Sequence, residues 1–209
     1  MCIYIVWTVF FMENRKFRSW ETAALLALCV TLLWGAWAEA RQQSIAAGLV
    51  RLHVIAVSDD EAEQALKLRV RDAVLDYLRP RLAHAADAAE AQAILAGELD
   101  GVAAAAESVS EGRPVTVALG PEDYPLRRYG GFTLPAGRYE SLRVTIGAGQ
   151  GHNWWCVVFP TLCLDAADGG ALRQTMTDED YAMVTGESDY ALRFRLVELW
   201  GELRNALRR

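Results

Sequence analysis

The sequence has few of the residue patterns that carry catalysis, metal binding or nucleic-acid binding. Only three histidines and four cysteines occur in 209 residues, and no metal-ligand spacing joins them. Charge is sparse, with 21 Lys and Arg against 27 Asp and Glu. The body of the chain lacks the clustered cations that neutralise phosphates, which argues against nucleic-acid binding. We therefore expect a protein or small-molecule partner, and neither a metal nor a cofactor.

Internal repeats and low-complexity linkers are also lacking. Hydrophobic residues make up 53% of the chain and seven residues are tryptophan, a composition that excludes wholesale disorder. A chain of this length and apolar content can bury a sizeable core, so we expect one globular domain.

The first forty residues differ from the rest of the chain. Residues 23–38 carry no charge and follow a basic cluster at residues 15–18, which is the order of an export signal. The uncharged run is shorter than the about 20 residues of a membrane-spanning helix, and Ala-Trp-Ala at 36–38 is typical of a cleavage site. An export signal is favoured over an uncleaved anchor or a buried N-terminal helix.

These features divide the chain in two. Residues 1–40 are predicted to be the export signal, which attaches the protein to a membrane if it is not cleaved. Residues 1–11 are an apolar prefix, and Met12 would begin a more ordinary signal, so we interpret the prefix as a start site assigned too early. Residues 41–209 are predicted to be a single domain outside the cytoplasm.

Export changes the meaning of the cysteines. Only Cys156 and Cys163 remain in the mature part, and an even pair outside the cytoplasm is consistent with a disulfide. A straight strand would hold them too far apart, whereas Pro160 between them favours a turn. A cross-hairpin disulfide and two buried free thiols both remain open.

The spacing of apolar residues predicts the first two elements of the domain. Residues 49–57 alternate as a half-exposed strand. Ser58 and Glu61 have the spacing of a capping box, which starts a helix over 59–79. Pro80 is expected to end that helix.

The remaining elements predict an α+β fold. Helices are predicted over 87–108 and 190–207, and strands over 114–119, 139–146 and 154–159. Since no βαβ alternation follows the second helix, the strands are expected to pair largely antiparallel. The prediction is a single domain with a mainly antiparallel sheet of about four to five strands and about three helices packed on it.

The glycine-rich segment 146–151 invites a dinucleotide-binding interpretation that its context contradicts. His152 stands where the G-x-G-x-x-G fingerprint requires glycine, and a predicted strand follows where a helix is needed. We interpret the glycines as a tight hairpin loop with positive φ angles.

A secreted thiol hydrolase, acting on the cell wall or on a peptide, is the alternative enzyme class. Cys156 would be its nucleophile, with His152 or His53 as its base. In an extended strand His152 would lie about 13 Å from Cys156, beyond hydrogen-bond reach, and the sequence leaves open whether His53 approaches across the sheet. Nothing recognisable in the sequence activates the thiol, so we assign no catalytic residue.

Trp154 and Trp155 are adjacent in a predicted strand and therefore point to opposite faces of the sheet. We expect one in the core and the other exposed, as an anchor for a protein interface. The alternative is that a loop or helix covers both. The neighbourhood of these two residues is the predicted partner-binding surface, with Arg51 and His53 as a second choice.

Three segments carry a resemblance to a known family. They are RLHVIAVSDDEAEQALKLRVRDAVL at 51–75, YGGFTLPAGRYESLRVTIGAGQGHNWWCVVFPTLC at 129–163 and RFRLVELW at 193–200. Together they resemble stage II sporulation protein R over most of the mature chain, and NWWCVVFP is the most specific part. Val57 stands where the family usually has Asn, and Thr161 where it usually has a second Pro.

The resemblance implies an intercellular signal of endospore formation. Such proteins are made in the forespore and secreted into the space between its two membranes. There they activate a membrane-embedded aspartic protease of the mother cell, which cleaves the pro-sigma-E factor. The catalytic aspartates would belong to that protease, so the resemblance implies no reaction for this chain itself.

Overall fold

The computed structural model describes residues 18–129, 131–160 and 170–186. The chain divides into two compact units, one ending at Ala38 and the other beginning at Glu39. The helix predicted over 190–207 lies outside the described residues.

Helix α1 (Ser19–Ala47) contains the uncharged segment. It is long and apolar enough to cross a membrane, by length and composition, and 11% of its most apolar stretch is buried. Large side chains such as Leu26 and Leu33 are exposed, so the alternative of a buried N-terminal helix is wrong. An exposed apolar helix of this kind is consistent with a signal peptide or a membrane anchor.

Eleven further elements are formed by the described residues. In chain order they are β1 (Val50–Ile55), α2 (Glu61–Leu82), α3 (Ala88–Gly97), α4 (Leu99–Glu107), β2 (Val115–Tyr124), β3 (Arg127–Tyr129), β4 (Phe132–Leu134), β5 (Gly137–Ile146), β6 (Asn153–Phe159), α5 (Gly170–Thr175) and α6 (Asp178–Thr185).

The strands form a four-stranded sheet in the order β2-β5-β1-β6, and β3 and β4 form a separate two-stranded sheet. β5 pairs antiparallel with β2 and parallel with β1, and β1 pairs antiparallel with β6. The α+β class and the mainly antiparallel pairing are confirmed, although the sheet is mixed. The parallel pair arises because β5 inserts between β2 and β1 instead of joining the sheet at an edge.

Helices α2, α3 and α4 cover one side of this sheet, which we call the helix face. Strand residues alternate, so Leu52 and Val54 point to this side together with Leu142 and Val144 of β5. Each fully buried aliphatic side chain of this kind contributes about 1.5–3 kcal/mol. The strands meet the predicted apolar stripe of α2 and the apolar residues of α3 and α4, namely Leu66, Val70, Val74, Ala91, Leu95, Val102 and Ala106.

Both predicted ends of α2 are wrong. Asp60 is the N-cap and makes no side-chain capping hydrogen bond, while Ser58 Oγ donates to Asp60 Oδ2 at 2.7 Å. The capping box fails because Ser58 lies two residues before the cap. At the other end the helix continues through Pro80 to Leu82, since proline in the last turn removes one backbone donor and Leu82 is buried.

The alanine-rich helix predicted over 87–108 is two helices that meet at Glu98. The Glu98 carboxylate accepts hydrogen bonds from Tyr77 Oη at 2.5 Å and Arg81 Nε at 2.9 Å. Both donors belong to α2, so these bonds hold the junction of α3 and α4 against that helix.

The glycine-rich connection is not the predicted hairpin, because β1 lies between β5 and β6. The connection instead crosses the end of β1. Gly147 and Gly149 have positive φ angles, as predicted, and the observed values are 55° and 62°. Gly151 N donates to Ala56 O at 2.9 Å, and a Cβ at Gly151 would lie 2.2 Å from Ser58 O. Only glycine allows this close approach.

Candidate functional site

The side of the sheet opposite the helix face carries polar and aromatic residues, and we call it the polar face. The hairpin of β3 and β4 lies against it, because Tyr129 of β3 contacts Arg51 of β1. β1 is therefore buried on both sides, and the prediction of a half-exposed strand is wrong. Strand alternation and register place these residues on the polar face: Arg51, His53, Glu122, Tyr124, Tyr139, Ser141, Arg143 and Trp155.

Arg51 is the centre of the polar face and is 0% exposed. Its guanidinium lies over the rings of Tyr124, Tyr139 and Tyr129, with 4.1, 5.0 and 5.8 Å to their centroids. Arg51 Nε donates to Cys156 O at 3.1 Å, and Nη2 donates to Tyr129 Oη at 2.7 Å. Within the described residues, Nη1 has no hydrogen-bond partner. The tyrosine rings surround this buried cation where a carboxylate usually would.

The three tyrosines stay neutral in this environment. Burial raises the pKa of Tyr124, Tyr129 and Tyr139, and it outweighs the opposing effect of the Arg51 charge. A neutral phenol remains a hydrogen-bond donor, and Tyr139 Oη donates to Pro135 O at 2.7 Å. The tyrosines therefore contact Arg51 through their rings, and Tyr129 also through its hydroxyl group, and not as phenolate counter-ions.

His53 is held between two side chains. Its Nδ1 lies 2.9 Å from Glu122 Oε1, and its Nε2 lies 2.9 Å from Asn153 Oδ1. Ser141 Oγ donates to Glu122 Oε2 at 3.0 Å and lies 2.6 Å from Tyr124 Oη. The result is a continuous hydrogen-bonded chain across β2, β5, β1 and β6.

Burial alone would raise the pKa of Glu122. The hydrogen bonds from His53 and Ser141, together with the charges of His53 and Arg143, outweigh burial and hold this pKa below its usual range. Glu122 is therefore the anion of the polar face.

This arrangement positions groups and does not activate a nucleophile. Ser141 is buried and directs its proton to Glu122, while the two nitrogens of His53 are used by Glu122 and Asn153. A serine hydrolase needs the hydroxyl within reach of the imidazole. Across the described part of the chain, no group of three or more His, Cys, Asp or Glu side chains is placed to hold a metal.

Cys156 does not meet the histidines proposed for a thiol hydrolase. It lies opposite Leu52 in the register, so it points to the helix face, whereas His53 lies opposite Trp155. His152 is exposed and binds Asp59. Cys156 is disulfide-bonded, which removes it as a free thiol. Cys163, its predicted partner, lies outside the described residues, so that pairing stays a prediction.

The two tryptophans lie on opposite faces, as the alternation of a strand requires. Trp154 is opposite Val54 on the helix face, where the Arg71 guanidinium lies 4.9 Å from its ring centroid. Trp155 stacks with Arg127 at 3.8 Å and lies 5.5 Å from the His53 ring. Both rings are half-buried, in place of the expected pair of one buried and one exposed. Their role in binding a partner stays a prediction.

Sequence reasoning missed most of the polar face. Glu122 and Tyr124 follow Pro121, and the strand was predicted to end before that proline. Proline is tolerated here because β2 is an edge strand. One signal was available, since Ser141 and Arg143 alternate with Leu142 and Val144 in a predicted strand and therefore share one face.

Comparison with known proteins gives two matches. The family model described as stage II sporulation protein R matches residues 46–168. A protein of Bacillus subtilis (strain 168) named "Stage II sporulation protein R" is 34% identical over 130 residues, which cover 60% of this chain and 58% of that protein. The matched part thus spans little more than half of the relative's length. No solved structure matches. The matched residues include the whole four-stranded sheet.

Proposed function

The chain belongs to the stage II sporulation protein R family, which gives it a role in sporulation, and from this premise we propose a secreted signal of endospore formation. In this proposal the protein leaves the forespore for the space between its two membranes. There it binds a membrane-embedded aspartic protease of the mother cell and activates cleavage of the pro-sigma-E factor. The chain catalyses no reaction of its own.

One observation carries this proposal beyond the family. Cys156, the strongest nucleophile that the sequence offered, is disulfide-bonded, and its neighbour across the sheet is Leu52 and not a histidine. A disulfide is typical of proteins outside the cytoplasm, and it is incompatible with a free thiolate nucleophile. The observation thus supports export and a ligand, and it disfavours the thiol hydrolase.

Helix α1 supports the proposed export. Helix α1 is apolar and exposed along the stretch that precedes the domain. Export through this segment delivers the domain to the far side of the membrane, and retention of the segment leaves the domain attached there. Either outcome allows contact with a membrane-embedded partner.

Activation needs only a difference in affinity. A ligand that binds the active arrangement of a protease more tightly than the inactive one shifts the population toward activity. Couplings of this kind are about 1–3 kcal/mol, or roughly 5–150-fold. A single well-made interface on this domain suffices for such an effect.

The contact surface in this proposal is the neighbourhood of Trp155. The ring is half-buried and stacked on Arg127, which leaves an aromatic and cationic surface for the partner. Arg51 and His53 are buried, so in this proposal they position that surface from below and do not contact the partner directly. Trp154 lies on the helix face, away from this surface, so substitution of Trp154 is the matched control for substitution of Trp155.

The experiment is deletion of the gene in its own spore former, followed by measurement of pro-sigma-E cleavage. We expect cleavage to stop and the wild-type gene to restore it. Normal cleavage in the deletion strain would end the proposal. A Trp155→Ala gene that restores full cleavage would remove this surface while leaving the signalling role intact.

A second set of strains separates a ligand from a thiol hydrolase. Cys156→Ser removes all activity of an enzyme that uses this thiol, whereas a ligand loses the stabilisation of the disulfide, about 2–3 kcal/mol for a short loop. Cys163→Ser is the matched control. If the two cysteines pair, both variants lose the same stability and keep the same partial signalling.

A further inference from the structure

Arginines on the helical side of the domain have carboxylate partners. Arg113 Nη2 of the segment after α4 lies 2.5 Å from Glu63 Oε1, and Arg81 Nε lies 2.9 Å from Glu98 Oε2. Arg69 is also paired, with Glu111. These arginines are therefore locally neutralised.

Arginines on the polar face are not neutralised in the same way. Arg51 has no ion pair among the residues described here, and Arg127 Nε is buried without an acceptor among them. Arg143 is 51% exposed, and its nearest described carboxylate oxygen, Glu122 Oε1, is 3.9 Å away. That same oxygen is held by His53 at 2.9 Å. Among the described residues, Glu122 is thus paired with Arg143, and neither Arg51 nor Arg127 forms an ion pair, within a chain whose net charge is -6.

The polar face also carries an aromatic ring near these arginines. Arg127 stacks on Trp155 at 3.8 Å, and Trp155 is opposite His53, which in turn is opposite Arg143 in the register. Arg143 and Trp155 are therefore two strands apart on one side of the sheet, with His53 between them. We call this surface, formed by Arg127, Arg143 and Trp155, the arginine-tryptophan patch.

We propose that the arginine-tryptophan patch binds an acidic segment of the membrane protease that this chain activates. The proposal rests on the proposed function and names the chemistry of its interface. A carboxylate on the partner supplies Arg127 with the ion pair that it lacks among the described residues, and it supplies Arg143 with a closer acceptor than Glu122 at 3.9 Å. The guanidinium fork binds carboxylates in a bidentate geometry. Trp155 provides the apolar contact at the centre of the patch.

An acidic protein segment fits this patch better than an anionic lipid surface. Attachment to anionic lipids typically needs about four to eight clustered Lys or Arg, whereas the patch presents two arginines around one half-buried ring. Two planar cations with an aromatic ring between them match the size of a short peptide motif.

The test uses Arg143 and a matched control. Arg143→Gln removes the charge without adding repulsion against Glu122, and Arg69→Gln removes an arginine of the same 51% exposure on α2, whose partner is also a carboxylate. Arg143→Lys keeps the charge and loses the planar fork. Each gene replaces the wild type in sporulating cells, and pro-sigma-E cleavage is followed beside the melting temperature of the purified protein.

We expect Arg143→Gln to reduce cleavage about tenfold, Arg143→Lys to reduce it less, and Arg69→Gln to leave it unchanged, with similar melting temperatures for all. Binding of the wild-type protein to membranes that contain the protease should weaken as salt rises, because the contact is ionic. If the Arg143→Gln strain cleaved pro-sigma-E as fully as the wild type, the proposed role of the patch would be overturned.

Two outcomes separate the patch from the proposed function and from a lipid surface. If deletion of the gene stops cleavage while Arg143→Gln restores it fully, the signalling role stands and the patch is wrong. If the wild-type protein binds phosphatidylglycerol vesicles without any protease, and Arg143→Gln abolishes that binding, the assignment to an acidic protein segment is overturned.

Discussion

The two faces of the central sheet are built from the same strands by different means. On the helix face, aliphatic side chains of β1 and β5 meet those of α2, and shape and burial are enough to hold them. On the polar face, Arg51 is equally buried but is surrounded by aromatic rings and directed hydrogen bonds. Burial alone therefore does not identify the hydrophobic core of this protein.

The difference indicates that the polar face is the more specialised of the two. A buried polar network is costly unless every group finds a partner, and it restricts side chains to a narrow set of arrangements. Arg51 Nη1 and Arg127 Nε lack partners within the described residues. Two buried guanidinium nitrogens of the polar face therefore lack an acceptor among these residues, whereas the aliphatic contacts of the helix face require none.

The largest expected effect is on the helix face. Leu52→Ala removes a fully buried side chain at the centre of the sheet, and we expect it to lower the free energy of unfolding by about 2–5 kcal/mol. Urea denaturation at constant pH, with the disulfide intact, measures the change. Leu68→Ala on the exposed side of α2 is the control and should cost less than about 0.5 kcal/mol.

Substitution of Arg51 tests whether the polar face is held by volume or by directed contacts. Arg51→Ala leaves a cavity and removes the donors to Cys156 O and Tyr129 Oη, so we expect a loss of about 2–4 kcal/mol. Arg51→Met fills most of the space and removes a buried charge, and we expect a loss below about 1.5 kcal/mol. Equal losses in the two variants would mean that the guanidinium contacts, and not its volume, hold this face together.

Acid should weaken the polar face through Glu122. Its folded pKa lies below the unfolded value, so its stabilisation is present above the unfolded pKa and is lost as pH falls through the folded pKa. Glu122→Gln should cost about 1–2 kcal/mol near neutral pH and should reduce the loss of stability on acidification. Asp123→Asn, at the next and exposed position of β2, is the control. An unchanged acid profile for Glu122→Gln would contradict the prediction.

The smallest expected effect is the removal of one hydroxyl group. Tyr124→Phe keeps the ring over Arg51 and removes the hydrogen bond to Ser141 Oγ, so we expect a loss of about 1 kcal/mol in the free energy of unfolding. Tyr77→Phe removes the hydroxyl that donates to Glu98 on the helical side, where solvent is close, and should cost less. A larger loss of unfolding free energy for Tyr77→Phe than for Tyr124→Phe would contradict this prediction.

The helix face could be predicted from the sequence because the apolar patterns that indicate it are local. The apolar stripe of α2 recurs at three and four residue steps, and β1 and β5 alternate at period two, so each element indicates its own buried side. Pairing order is not local in this sense. The insertion of β5 between β2 and β1 depends on contacts between distant segments, and antiparallel pairing alone did not predict it.

The polar face was harder to predict because polar residues ordinarily indicate solvent. Arg51 and His53 alternate with Leu52 in a pattern typical of a half-exposed strand. The cover over them comes from the hairpin of β3 and β4, through Tyr129, and no local pattern connects that hairpin to β1. The tryptophans were assigned to opposite faces correctly, since that follows from adjacency in a strand.

β1 is the first strand among the described residues, yet Val50 pairs with Glu140 on one side and with Phe159 on the other. On the export route proposed above, a polypeptide threaded through a membrane channel from its amino end delivers β1 long before either neighbour emerges. During that interval its backbone groups are unpaired and open to aggregation with other chains. Completion of the sheet therefore waits for residues 153–159, and on this route the speed of translocation sets how long the nascent protein is vulnerable.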